Sequence, residues 1–124
     1  CESLTSIEIP NSITTLKSGV FAYCSNLEDI KIPNSVTSLG VIGDLFEGPF
    51  EGCAGLVNVN IPDNVIIIGD CAFNFCTNLV SVTIPESVTS IGGAAFNHCT
   101  SLKSIIISNT DLRPTQTSKS CIIL

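Results

Sequence analysis

Residues 76–98 read CTNLVSVTIPESVTSIGGAAFNH. Val82 and Ile84 are β-branched and apolar, with the polar Thr83 between them, which is the two-residue period of a short strand with one buried face. Pro85 follows at once. A proline has no N–H with which to extend a ladder, so the strand ends there. Val88 and Ile91 point inward again, Gly92 allows a tight bend, and Phe96 supplies the largest apolar side chain of the segment.

The same order recurs in phase on both sides. Residues 1–23 (CESLTSIEIPNSITTLKSGVFAY) and 53–75 (CAGLVNVNIPDNVIIIGDCAFNF) are also 23 residues long. The unit from Cys24 to Gly52 has 29 residues, six more than the others, and a fifth unit opens at Cys99 and loses the pattern near Asp111. A period in the twenties marks a solenoid. Leu4, Leu27, Leu56, Leu79 and Leu102 fill one slot, and Pro10, Pro33, Pro62 and Pro85 end each strand. Phe21, Phe50, Phe73 and Phe96 form a second buried spine, and Gly40, Gly69 and Gly92 fill the bend slot, which Lys17 takes in the first unit.

The fold class expected is a mainly β repeat solenoid, with one short parallel strand per 23-residue coil and return segments built of turns, short strands or helical turns. No coil can bury its faces alone, so stability is shared between neighbours. The expected division is a solenoid over 1–110, a flexible linker over 111–120 and a four-residue box over 121–124.

The motif C-x-x-L-x-x-I-x-I-P-x-S-V-T-x-I-G-x-x-A-F, in phase from residue 1 to about 110, resembles the BspA-like, or treponemal-type, leucine-rich repeat. The resemblance implies a parallel-stranded arc whose strand face commonly binds other proteins, and it implies no catalytic activity. The family occurs in bacterial surface proteins and in some parasitic protists. The six extra residues and the broken fifth unit depart from its pattern.

Composition narrows the function. At 124 residues, 44% hydrophobic and 13% charged, the chain is long and apolar enough for one packed domain. The net charge is −6, and Lys17, Lys31, Lys103, Arg113 and Lys119 are scattered, which excludes a nucleic-acid stripe. No apolar run reaches the ~18 residues of a membrane-spanning helix.

Cys1, Cys24, Cys53, Cys76 and Cys99 share one slot, so they stack in a column. In-register coils hold such Cβ atoms about 4.8 Å apart, longer than the ~3.8 Å a disulfide prefers, so reduced, buried thiols are expected. Cys71 sits in a slot filled elsewhere by Gly19 and Ala94. A zinc site from Cys71, Cys76, His98 and Cys99 is the sharper alternative, but its spacing matches no standard finger. A Cys–His nucleophile pair lacks a third residue to orient it. No catalytic residue, metal ligand or cofactor is assigned.

The outward strand positions form the expected binding face. One row holds Ser6, Asp29, Asn58 and Ser81, and its neighbour holds Glu8, Lys31, Asn60 and Thr83. The face is polar and poor in aromatics, so it suits either a modest protein-binding surface or a merely solvated one. Leu45 and Phe46, with Val41 and Ile42, mark the insertion over 41–52, which either packs on its own coil or meets a partner. Nothing in the sequence caps Leu4, Ile7, Ile9 and Phe21, so either more repeats precede Cys1 or a second copy covers this edge.

The chain closes with SKSCIIL, and Cys121-Ile122-Ile123-Leu124 has the form of a C-a-a-X box. Leucine in the last position favours a geranylgeranyl group on Cys121, added by a prenyltransferase in the cytosol. One lipid gives reversible attachment. The expectation is a non-enzymatic protein-interaction scaffold held at the cytosolic face of a membrane, bound to a protein partner and not to nucleic acid. The alternative is a cell-surface adhesion or host-interaction protein of a protist parasite. A chance apolar end, or a strand that tucks against the last coil, is the alternative account of the tail.

Overall fold

The computed structural model describes residues 3–43 and 47–108. Five outward-facing strands run along one side: β1 (Ser6–Glu8), β3 (Asp29–Lys31), β5 (Asn58–Asn60), β7 (Ser81–Ile84) and β9 (Ser104–Ile107). Four two-residue return strands run along another: β2 (Thr15–Leu16), β4 (Ser38–Leu39), β6 (Ile67–Ile68) and β8 (Ser90–Ile91). All ladders are parallel, and the register is that of the repeat, with Ile7 opposite Ile30, Val59 opposite Val82, and Val82 opposite Ile105. Of the return geometries expected, short strands and turns are realised. Among the described residues there is no helix.

Each proline starts the turn that follows its strand. The carbonyls of Pro10, Pro33, Pro62 and Pro85 accept the N–H groups of Ile13, Val36, Val65 and Val88, each at 3.1 Å. The missing proline N–H stops the first strand, while its carbonyl fixes the corner that aims the next inward residue.

The phenylalanine spine is continuous. Ring centroids lie 5.6 Å apart for Phe21 and Phe50, 5.3 Å for Phe50 and Phe73, and 5.4 Å for Phe73 and Phe96. The rings are nearly parallel, with interplanar angles of 14°, 9° and 5°. Leu27, Leu56, Leu79, Val36, Val65 and Val88 are fully buried beside them. In the first coil, Leu4, Ile7 and Ile13 are only partly buried. An apolar depression of about 320 Å³ opens there between Ile7, Ile9, Ile13, Leu16, Val20 and Phe21.

The glycine slot works differently from the expectation. Gly40 does bend the chain at φ 82°, but Gly69 and Gly92 are not in the left-handed region. They are needed because coils touch there. A Cβ on Gly69 would strike the backbone of Gly40 and Val41, and one on Gly92 would strike that of Gly69 and Asp70. The left-handed corners fall elsewhere, at Gly19, Cys71 and Ala94 and at Tyr23, Gly52, Phe75 and His98.

One discontinuity matters for function. The return strands form a single sheet, β2-β4-β6-β8, but the outward strands divide into β1-β3 and β5-β7-β9. The break falls between the long second coil, which carries β3, and the third coil, which carries β5. Its insertion leaves after Val41, whose carbonyl accepts Asp70 N–H at 2.9 Å, and the chain is back in register at Pro49, whose carbonyl accepts Phe21 N–H at 2.9 Å.

Candidate interaction surface

The strand face is built by alternation. In β3 and β5 the central Ile30 and Val59 are buried while Asp29, Lys31, Asn58 and Asn60 are exposed. Ser6, Glu8 and Thr83 are exposed as well, so these predicted positions line one surface. Ser81 differs, since it is half-buried and donates to Asn58 Oδ1 at 3.2 Å.

Over β1 and β3 this surface opens into a groove of about 540 Å³ that reaches Asn60 of β5. Glu8, Asp29, Lys31 and Asn60 line it on the strands, with Asn11 and Asn34 beyond the prolines and apolar edges from Ile9, Ile30 and Ile32. An acid, a base and an amide thus meet at one opening. Four of the eight residues assigned to the strand face from sequence gather there, and the other four extend the face to either side.

Leu45 and Phe46 lie outside the described residues, as do the 111–120 linker and Cys121. Of the insertion's apolar residues, Val41 and Ile42 are 45% and 50% exposed, so they do not pack back on their own coil. The Asp70 carboxylate ties the insertion to the third and fourth coils, accepting Gly43 N–H and Gly93 N–H at 2.8 Å each.

The cysteine column is as expected for Cys53, Cys76 and Cys99, which are buried and form no disulfide. Burial pushes the Cys53 thiol up to about 11 from 9.0 and raises Cys76 well above that ordinary value. Cys24 departs from the expectation: it is disulfide-bonded, with its partner outside the described residues. A coil spacing of about 4.8 Å falls within the ~4.4–6.8 Å that disulfide Cα atoms span, so stacking does not by itself keep thiols apart. Cys71 is free and half-buried, its thiol raised by burial and then by the Glu51 carboxylate. Among the described residues no group of three metal-ligating side chains comes together.

Sequence reasoning missed a polar cluster on the corner after the phenylalanine spine. Glu51 is buried, accepting Tyr23 Oη–H at 3.2 Å on Oε2 and Asn74 Nδ2–H at 3.0 Å on Oε1. The signal was present in the repeat, because Ala22, Glu51, Asn74 and Asn97 share one slot and all but Ala22 carry polar side chains able to bond across coils.

A family model described as BspA type Leucine rich repeat region (6 copies) matches residues 1–48 and 42–121. A leucine-rich repeat protein from Bacteroides ovatus is similar over 97% of this chain, at 27% identity and a TM-score of 0.82. A leucine-rich repeat protein of T. pallidum is similar over 85%, at 28% identity and a TM-score of 0.74. A leucine-rich cell surface protein from Faecalibacterium prausnitzii is similar over 84%, at 33% identity and a TM-score of 0.61. The chain spans only 30%, 46% and 32% of those three proteins, respectively. No curated protein matches it.

Proposed function

The chain belongs to the BspA type leucine-rich repeat family, and on that premise we propose that it is a protein-interaction scaffold whose strand face receives an extended segment of a partner protein. The family and its fold are generally non-enzymatic. The observation that supports the site is the groove over β1 and β3, where Glu8, Asp29 and Lys31 converge with Asn60 of β5. An extended segment advances about 3.3 Å per residue and coils repeat about every 4.8 Å, so three residues span two coils. With no large aromatic in the groove, the affinity belongs in the micromolar range, around −8 kcal/mol.

Selecting displayed random peptides on the immobilised protein tests this. Enriched peptides bind the wild-type chain at least about tenfold more tightly than an Asp29→Ala, Asn60→Ala variant, a difference of about 1.4 kcal/mol. Equal binding to both refutes the site.

Two settings for the scaffold each have an observation behind them. Cys121-Ile122-Ile123-Leu124 supports geranylgeranylation and a tether at the cytosolic face of a membrane. The disulfide at Cys24 and the likeness to a cell surface protein support the outside of a cell, where disulfides persist. Among the described residues no helix is long and apolar enough to cross a membrane. Mass spectrometry of native material separates the two settings. A prenyl group on Cys121 with Cys24 reduced establishes the tether, and an unmodified Cys121 with Cys24 oxidised establishes the surface.

A second copy of the chain is also a proposed partner, at the apolar depression of the first coil. Sedimentation that shows only monomer at high micromolar concentration refutes it.

A further inference from the structure

The corner slot two residues after each spine phenylalanine holds Tyr23, Gly52, Phe75 and His98 on four successive coils. All four have a left-handed backbone, with φ of 59°, 74°, 61° and 57°. Glycine takes this conformation freely, while other residues lose about 1–2 kcal/mol. Three of the four positions nevertheless carry rings, and the rings point outward: Tyr23 is 51% exposed, Phe75 is 43% exposed, and His98 is exposed. Core packing does not account for them.

The rings form a ladder. Phe75 and His98 stack with centroids 4.3 Å apart and planes 7° from parallel. Tyr23 lies over Gly52, where a Cβ would collide with its ring. Beside them the polar groups are nearly all acceptors. Glu51 lies buried against Tyr23 and Asn74, and the Glu47 carboxylate acts on the same tyrosine. Asn74 Oδ1 is buried and has no hydrogen-bond partner. The described basic residues are elsewhere: Lys31 in β3, Lys103 just before β9, and Lys17 at the open end of the first coil.

We propose that this corner is a second docking surface, for an arginine-bearing segment of a protein partner. A guanidinium is planar, stacks on aromatic faces, and offers five donors and no acceptor, which complements rings set beside the Glu47 and Glu51 carboxylates. A saccharide or a proline-rich segment brings acceptors of its own and no charge to meet the carboxylates. The surface is separate from the groove over β1 and β3 and stands whether or not that groove binds.

Calorimetric titration of the 124-residue chain with hexa-arginine, hexalysine and hexaproline, at about 0.15 M salt to screen non-specific attraction, tests the proposal. Hexa-arginine binds about tenfold more tightly than hexalysine, and hexaproline does not bind. The Tyr23→Gly, Phe75→Gly variant keeps its fold, because glycine suits that backbone, and loses about tenfold in hexa-arginine affinity. Phe75→Leu, which keeps apolar bulk and removes the π face, loses severalfold, while Asp63→Ala, which removes an exposed carboxylate outside both surfaces, changes nothing. Equal affinity for arginine and lysine, unchanged binding by Phe75→Leu, or tighter binding of hexaproline overturns the proposal.

Discussion

Cys76 Sγ donates a hydrogen bond at 3.2 Å to the main-chain oxygen of Phe50, the same oxygen that accepts Cys53 N–H at 3.1 Å. One carbonyl therefore closes the turn of its own coil and holds the thiol of the next. Cys53 is joined in this way to Phe21 O at 3.1 Å, and Cys99 to Phe73 O at 3.1 Å. Cysteine suits the slot because it is small and apolar yet still satisfies the second lone pair of a buried carbonyl.

These thiols make stability depend on alkaline pH. The folded Cys53 value of about 11 exceeds the ordinary 9.0, so above pH 9 the unfolded chain loses a proton that the folded chain keeps. The contribution is complete below pH 9 and is lost as pH rises through about 11. Urea unfolding at pH 8, 9, 10 and 11 should show a midpoint that is flat between the first two and falls thereafter. A midpoint that rises over that range contradicts the assignment.

Thiol labelling should follow exposure. Among the described cysteines, iodoacetamide at pH 8 is expected to modify the half-buried Cys71 first and slowly, since its thiolate is disfavoured. Cys53, Cys76 and Cys99 react only after denaturation, and Cys24 only after reduction as well. Peptide mapping by mass spectrometry reads this order directly, and early labelling of Cys76 speaks against the buried column.

The phenylalanine stack should carry its load at the centre. Phe73 has a ring neighbour on each side, so Phe73→Ala is expected to cost about 3–5 kcal/mol, measured by urea unfolding. Phe96→Ala, with one described ring neighbour, should cost less. Equal and small effects at both positions rule out a continuous spine.

Two substitutions two residues apart should have opposite signs. Gly92→Ala drives a methyl into the backbone of the preceding coil and destabilises by about 1–3 kcal/mol. Ala94→Gly releases a left-handed alanine at φ 58° and stabilises by up to about 1 kcal/mol. Thermal unfolding of the two variants compares them, and a loss on Ala94→Gly argues against strain at that corner.

The strand slots, the proline turns and the phenylalanine spine were legible in the sequence because each is a residue type fixed at a recurring position. Val82 opposite Val59 and Ile105 follows from the 23-residue period alone. The break between β3 and β5 was not legible, because the six extra residues lie after β4, in neither outward strand, and no single residue encodes how they offset the third coil from the second. The role of Gly69 and Gly92 was misassigned because a glycine needed for close approach looks the same in sequence as one needed for a bend. The left-handed corner could have been found, since Gly52 shares its slot with Tyr23, Phe75 and His98. The Cys24 disulfide could not, because the column spacing permits thiols and disulfides alike.

Amide chemical-shift mapping of the 13.0 kDa chain with a selected partner peptide tests the interaction reading most directly. The largest shifts are expected at Glu8, Asp29, Lys31 and Asn60, around the groove over β1 and β3. Shifts confined to the return strands β2, β4, β6 and β8, with the strand face unmoved, contradict it.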